Sequence, residues 1–590
     1  MNKRLSSLAL GFLLTVGLCG CQTTTAEHPK ITVSDSSAAL VETPQSAFAS
    51  GTSAESFAAA DTAVSATETY AEKLFNGGVL DIYITTEAED WQYLMENAGS
   101  KPWITADITI NGTTFEKVGI KTKGNTSLQQ LVKEESTRYS LKVSFGKYED
   151  GQTCYGLDKL ALNNIYADST YLKEYMSYDL LRYMNVPCSL CTFANITVNG
   201  EPYGLFLAVE DADDSYLDRL YGTDSTVKAY KPEAMDMNDQ QGGDFPQMPD
   251  NMSRPEMPDG QNFPQMPDDM SRLEMPDGQN FPEMPDGQNF SQMPDDMSRP
   301  EMPDGQNFPQ QPGNGKGFGM DGGRNGVDLT YSDDNADSYS NIFDNNINKV
   351  EDEDKQRLIA SLKQLNSGEN IESVVNVDEV LRYTACNVFL VNLDSYLSSN
   401  CHNYILTESN GQLSILPWDY NLSFGTYQMK QASEAVNYAI DTVFNDVSAD
   451  ERPLIGKLLE NEAYREKYHE YLRQIAEQYI GSGTFEKTVE EVTSLIDSYV
   501  KNDTTSFDGY DAFVEGVSAL KLFLSLRTES VLGQLYGRIP ATQETQQNSD
   551  QLVDASALSL EALGGMNMND GQQRDRFPNE KPSAVPDSTA

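Results

Sequence analysis

The sequence predicts an α+β protein, with an antiparallel sheet and one principal helix in its first half, a mainly helical second half, and a long low-complexity insertion between them. Three observations carry this. Alternating apolar runs flank Asn-Gly pairs at 111–112 and 199–200, the residues that two-residue hairpins favour. Helical spacing takes over after residue 350, most clearly in "NVDEVLRYTACNVFLVNLD". Between the two, from 236 to 340, near-repeats such as "QNFSQMPDDMSRPEMPDG" combine frequent proline with too few apolar residues to bury a core.

Taken in order, "MNKRLSSLALGFLLTVGLCGCQTTT" places Lys3 and Arg4 ahead of a short apolar run, the pattern of a signal peptide over residues 1–21. Its terminal "LCGC" resembles the bacterial lipobox. That predicts lipid on Cys21 and a chain held by acyl groups on the extracellular face of the bacterial cytoplasmic membrane. Residues 22–73, rich in Ala, Ser and Thr, read as a flexible tether.

The first folded region spans 74–235. "LDIYIT" alternates as a strand, "EDWQYLMENA" reads as a short helix, and "WITADITINGTTFEKVGIKTKGNTS" as a hairpin. Strands follow in "RYSLKVSF" and "LDKLALNN". A helix in "DSTYLKEYMSYDLLRYMNVP" can be capped by Asp168 and ended by Pro187, and the hairpin "FANITVNGEPYGLFLAVE" completes the region. The second folded region spans 341–540, with Asn376 and Glu379 as the start signal of its central helix, and residues 541–590 read as a disordered tail.

Composition removes some functions. A net charge of −48 leaves no basic surface for nucleic acid. Beyond the leader there are five cysteines, an odd number that implies no complete disulfide framework. "CSLC" at 188–191 has metal or redox spacing, but no second pair and only three His accompany it, so core roles are expected. The methionines of the repeats are soft ligands suited to Cu(I), yet without His or Cys beside them they read as a flexible surface element.

The chemistry is expected in "NLDSYLSSNCHNYILTESNGQLSILPWDYNLSFG", residues 392–425. Asp394 follows the central helix, where the dipole presents its negative end and a carboxylate is unfavourable. Asn403 enters one strand of a hairpin and Asp419 leaves the other, so the turn brings them together and the helix end can bring Asp394 to the same mouth. An Asp that handles a hydroxyl proton, followed by an Asn and an Asp that hold a divalent cation on nucleotide phosphates, is the order used in the catalytic half of protein kinases. The spacing departs from the usual kinase pattern, because Asp419 lies in "WDYN" rather than before Phe-Gly.

These residues resemble the CotH-like proteins, atypical kinases associated with bacterial spore coats. The similarity covers roughly 76–235 and 340–430. It rests on "KGNTS", "SLKVSF", "LDKLALNN", "YLKEYMSYDLLR", "VNGEPYGLFLAVE", "NLDSYLSSNCHNYIL" and "LPWDYNLSFG", which occur in the family's order. The resemblance implies a two-lobed, kinase-like fold that uses ATP and Mg²⁺ or Mn²⁺ to phosphorylate Ser or Thr of proteins.

It also implies Asp394 as the catalytic residue, Asp419 and Asn403 as metal ligands, and Asn421, where many relatives have Asp, as an aid to the metal site or a weakness in it. Lys142 is the candidate lysine for the nucleotide phosphates, with Gly124 and Asn125 of "KGNTS" in a phosphate-facing loop. For the acidic partner of Lys142 two candidates stand. Glu174 matches the family block, whereas Asp179 lies on the helix face shared by Leu172, Tyr175, Met176 and Tyr183. Glu210 resembles a hinge position for adenine.

Two functions compete, an active surface-attached kinase and a non-catalytic lipoprotein of the same fold acting in envelope or coat assembly or adhesion. If the kinase is active, Ser253, Ser271 and Ser298 of the repeated Met-Ser-Arg triplets are expected as its own acceptors.

Overall fold

The computed structural model describes residues 69–233 and 326–566. The leader with Cys21, most of the tether, the repeats with Ser253, Ser271 and Ser298, and residues 567–590 lie outside the described residues.

Seven strands form the first half: β1 (Leu80–Thr85), β2 (Ile104–Ile110), β3 (Thr113–Thr122), β4 (Leu141–Ser144), β5 (Lys159–Asn163), β6 (Cys191–Val198) and β7 (Glu201–Glu210). The expected Asn-Gly turns form, with both residues at positive φ at 111–112 and at 199–200. The mixed helix-and-strand class holds, but the sheet is not the wholly antiparallel one expected. It closes into a barrel in the order β1-β2-β3-β4-β5-β7-β6, because β1 pairs in parallel with β6 from Leu80 opposite Ala194 to Ile84 opposite Val198. That pairing joins strands more than a hundred residues apart, which local alternation cannot signal. Closure removes both sheet edges.

Ile82, Ile84, Ile108, Val118, Ile120, Leu141, Val143, Leu162 and Phe206 fill the barrel. On its outer side Ala161, Leu207 and Val209 are also buried, in a second and larger core shared with the helices. β7 is therefore covered on both faces over its last eight residues, as its continuous apolar run "LFLAV" requires. The Lys173–Tyr183 helix lies in this second core, contributing Met176, Leu180 and Leu181. Asp168 is not its N-cap residue, yet its carboxylate accepts the Lys173 N–H at 2.9 Å and so satisfies the first turn from five residues away.

The second half is built around the buried helix Val377–Leu390, started by the Asn376 side chain accepting from the Glu379 N–H. Helices Asp352–Ser367, Glu462–Gln474, Thr484–Asn502 and Gly509–Leu535 accompany it. A three-stranded sheet of order β10-β9-β8 joins β9 (Tyr404–Ser409) and β10 (Gln412–Pro417) through the Asn410–Gly411 turn to β8 (Lys228–Tyr230). The region ending at 235 thus hands its last strand to the sheet of the second half.

Two further boundaries move. Residues 326–340, expected within the insertion, bury Val327, Leu329 and Tyr339. Residues 541–566, expected in a tail, bury Val553, Ala555, Leu558 and Leu563, and the Asn437 side chain bonds both backbone groups of Val553. In each case a few apolar anchors suffice, too sparse to give a periodic signal.

Candidate functional site

Asp394 stands four residues beyond the end of the Val377–Leu390 helix, in a segment fixed by two buried arginines. Arg527 donates to the carbonyl of Phe389, which the helix leaves without an intrahelical partner, to that of Val388, which also accepts the Val391 N–H at 3.3 Å, and to those of Val436 and Tyr438. Arg452 donates to the carbonyls of Tyr396 at 2.8 Å and Ser398 at 2.6 Å, fixing the loop beyond Asp394. The carboxylate of Asp394 accepts from the Asn403 amide at 2.8 Å and from that of Asn400 at 3.4 Å. Burial pushes its pKa up, His402 opposes this, and the neighbouring Asp419 adds to it.

Asn403 and Asp419 flank the β9–β10 hairpin, whose outermost pair is Tyr404 opposite Pro417. Both take left-handed backbone conformations, φ 52° and 57°, which turn the chain out of the ladder where each strand begins or ends. Phe424 and Gly425 then return beneath the central helix, donating to the carbonyls of Leu390 and Val391. The expected convergence of Asp394, Asn403 and Asp419 is observed. Asn421 lies two residues beyond Asp419, half-buried.

A third carboxylate comes from the barrel side. Glu174 is buried, and desolvation followed by repulsion from Asp419 pushes its pKa up to about 8. The Asn163 amide donates to it at 2.8 Å, and the Lys123 ammonium donates to the other end of that amide at 2.5 Å. Of the two acidic candidates, Glu174 is the one brought to the site. Asp179 accepts from the Tyr479 hydroxyl and pairs with Arg182 instead. The single-face argument fails because this helix is enclosed by the barrel on one side and the helices on the other.

Lys142 pairs with Asp211 at 2.5 Å rather than with Glu174, and the lysine linked to Glu174 is Lys123. Lys231 lies over the Trp418 ring at 4.8 Å and Lys123 over it at 5.9 Å, beside Asp419. Gly124 has φ 106°, and Asn125 precedes the Thr126–Lys133 helix with its side chain accepting from Lys101. Glu210 is fully buried, held by Arg219 and by the Tyr70 hydroxyl, while its backbone N–H bonds to Leu190 O, so that N–H is already engaged.

Lys123, Asn163, Lys231, Asp211 and Asn400 were not identified from sequence. Only Lys123 had a readable signal, sharing a strand face with Lys121 in "IKTK".

Asp419 is placed with Glu174 and Asp394 close enough to raise the pKa of both, and among the described residues it accepts no hydrogen bond. A carboxylate set beside two others and without a donor of its own is the kind of oxygen ligand a hard cation takes. Among the described residues no group of three or more His, Cys, Asp or Glu is placed to hold a metal ion.

The description "CotH kinase protein" matches residues 120–271 and 301–531, well over half of the chain. The chain belongs to the CotH kinase protein family. It is similar to inner spore coat protein H of Bacillus subtilis (strain 168), with 28% identity over 142 residues, 23% of this chain and 36% of that protein. The match thus spans about a third of that relative's length.

Proposed function

We propose that the protein is a metal-dependent kinase whose two lobes are the barrel half and the helical half, and which transfers the γ-phosphate of ATP to Ser or Thr hydroxyls of surface or coat proteins. The observation that carries this reading is the meeting of Asp394, Asn403 and Asp419 with Glu174 and barrel lysines in one place.

In this reading Asp394 orients the acceptor hydroxyl and takes its proton, with Asn403 and Asn400 fixing the carboxylate's direction. Asp419 and Asn403 would hold Mg²⁺ or Mn²⁺, with Asn421 near enough in sequence to add an oxygen. The ion supplies positive charge to the phosphates during transfer. Lys123 and Lys142 add positive charge from the barrel and Lys231 from the end of β8, Glu174 orienting Lys123 through Asn163 and Asp211 holding Lys142. Acceptors among coat proteins are supported by the name of the Bacillus relative. The leader adds a lipid at Cys21 that fixes the enzyme to a membrane surface.

Incubation with labelled ATP, Mg²⁺ or Mn²⁺ and a protein acceptor tests the activity. Transfer is expected in the wild type and should fall about 10²–10⁴-fold in Asp394→Asn. Equal transfer by both proteins would overturn the role of Asp394, and no transfer by the wild type with either metal would favour the non-catalytic lipoprotein. Fatty-acid labelling of the full chain should be lost in Cys21→Ser.

A further inference from the structure

The helix that carries Glu174 is anchored at its first residue. Lys173 is fully buried, and its ammonium spends its three donors on the Ala167 carbonyl at 2.8 Å, the Thr426 hydroxyl at 2.8 Å and the Gly564 carbonyl at 3.2 Å. Those acceptors belong to three segments distant in sequence: the loop before the helix, the segment that follows Asp419, and the C-terminal stretch. One turn further along, the Ser177 hydroxyl meets that of Ser423 at 2.9 Å, a second tie between the helix and the segment after Asp419.

The C-terminal stretch lies against these groups backbone to backbone. A Cβ at Gly564 would come within 2.6 Å of the Ser169 nitrogen, and one at Gly565 within 2.8 Å of the Thr426 carbonyl oxygen. Leu558 and Leu563 bury their side chains in the main core.

We propose that residues 558–566 and Lys173 form an intramolecular clip that positions Glu174 against Asp419, so that this C-terminal segment decides whether the site is assembled. Lys173 is a positioning residue, since it acts through the helix and through Thr426 rather than on a substrate. Shortening, cleavage or displacement of the segment would disassemble the site while leaving the barrel intact, because Leu558 and Leu563 belong to the larger core and not to the barrel's interior cluster.

Hydrogen exchange on the purified chain tests this without reference to activity. A chain ending at residue 566 should match the full chain. One ending at 557, or the full chain carrying Gly565→Val or Lys173→Met, should lose protection at least about tenfold in 174–183 and 420–427, with β1–β4 unchanged. A peptide of residues 556–566 added to the shortened chain should restore it. Unchanged exchange in 174–183 and 420–427 would overturn the proposal, as would equal loss throughout the barrel, which would mark the segment as general support.

The activity arm rests on the kinase reading: KM for ATP should rise about tenfold or more in Lys173→Met. A wild type without transfer would fail that reading and leave the exchange result to decide the clip.

Discussion

At Asp419 the backbone and the charges are both held in unfavourable states. The residue is in the left-handed region and its carboxylate raises the pKa of both Glu174 and Asp394. Such an arrangement gives up stability in the absence of a cation. Asp419→Asn keeps the side chain's shape and removes the charge, so its melting temperature without metal is expected to rise above that of the wild type. Metal-dependent nucleotide binding should be lost in the same variant. Calorimetric melting and titration with ATP and Mg²⁺ check the two halves, and a lowered melting temperature with intact binding would remove Asp419 from the site.

At the scale of elements, the loop that carries Asp394 depends on a helix end that is capped by another helix. Arg527, from the Gly509–Leu535 helix, closes the C-terminus of Val377–Leu390 with a buried positive charge where the dipole is negative. Arg527→Met has similar length but no donors, and would leave the carbonyls of Phe389 and Val436 unpaired. A loss of about 3 kcal/mol or more is expected by denaturant unfolding, since each buried unsatisfied group costs roughly 1–3 kcal/mol. Its apolar surroundings in "LKLFLSLRTESVLGQL" mark this arginine as unusual in sequence, but its partners are more than 80 residues away and unreadable there. The Asn-Gly hairpins are the opposite case: each turn is decided by two adjacent residues, and all three form as expected.

For the whole molecule, the barrel and the helical half are joined by a buried ion pair. Arg138 donates to Asp503 at 2.7 Å, to Thr505 and to the Leu205 carbonyl, while Asp503 also accepts the Leu205 N–H. Gly204 makes room for this junction, because a Cβ there would overlap Arg138 and Thr505. Burial works against the charge of Asp503, but Arg138, the Leu205 N–H and Thr505 outweigh it and hold the carboxyl below the usual Asp range.

The folded pKa of Asp503 therefore lies below the unfolded one, about 3.9. Its contribution to stability is full above that value and is lost as pH falls through the folded pKa. Melting followed between about pH 5 and pH 2 should show this slope. Asp503→Asn should flatten it and destabilise the protein by about 3–5 kcal/mol, because Arg138 would stay buried without its counter-charge. A slope unchanged in that variant would assign the acid sensitivity to other carboxylates.

The sequence by itself determined the α+β class, the three hairpins, the central helix and its start, and the meeting of Asp394, Asn403 and Asp419 beside one hairpin. Each of these follows from neighbours in the chain, through turn chemistry, capping or a hairpin that returns on itself. Only the tertiary structure decided that β1 closes a barrel against β6, that Glu174 rather than Asp179 lies beside Asp419, that Lys123 rather than Lys142 is linked to Glu174, and that residues 541–566 belong to the folded domain. Those outcomes depend on contacts between segments far apart, and a helix enclosed on two sides has no single apolar face from which its functional side chain can be read.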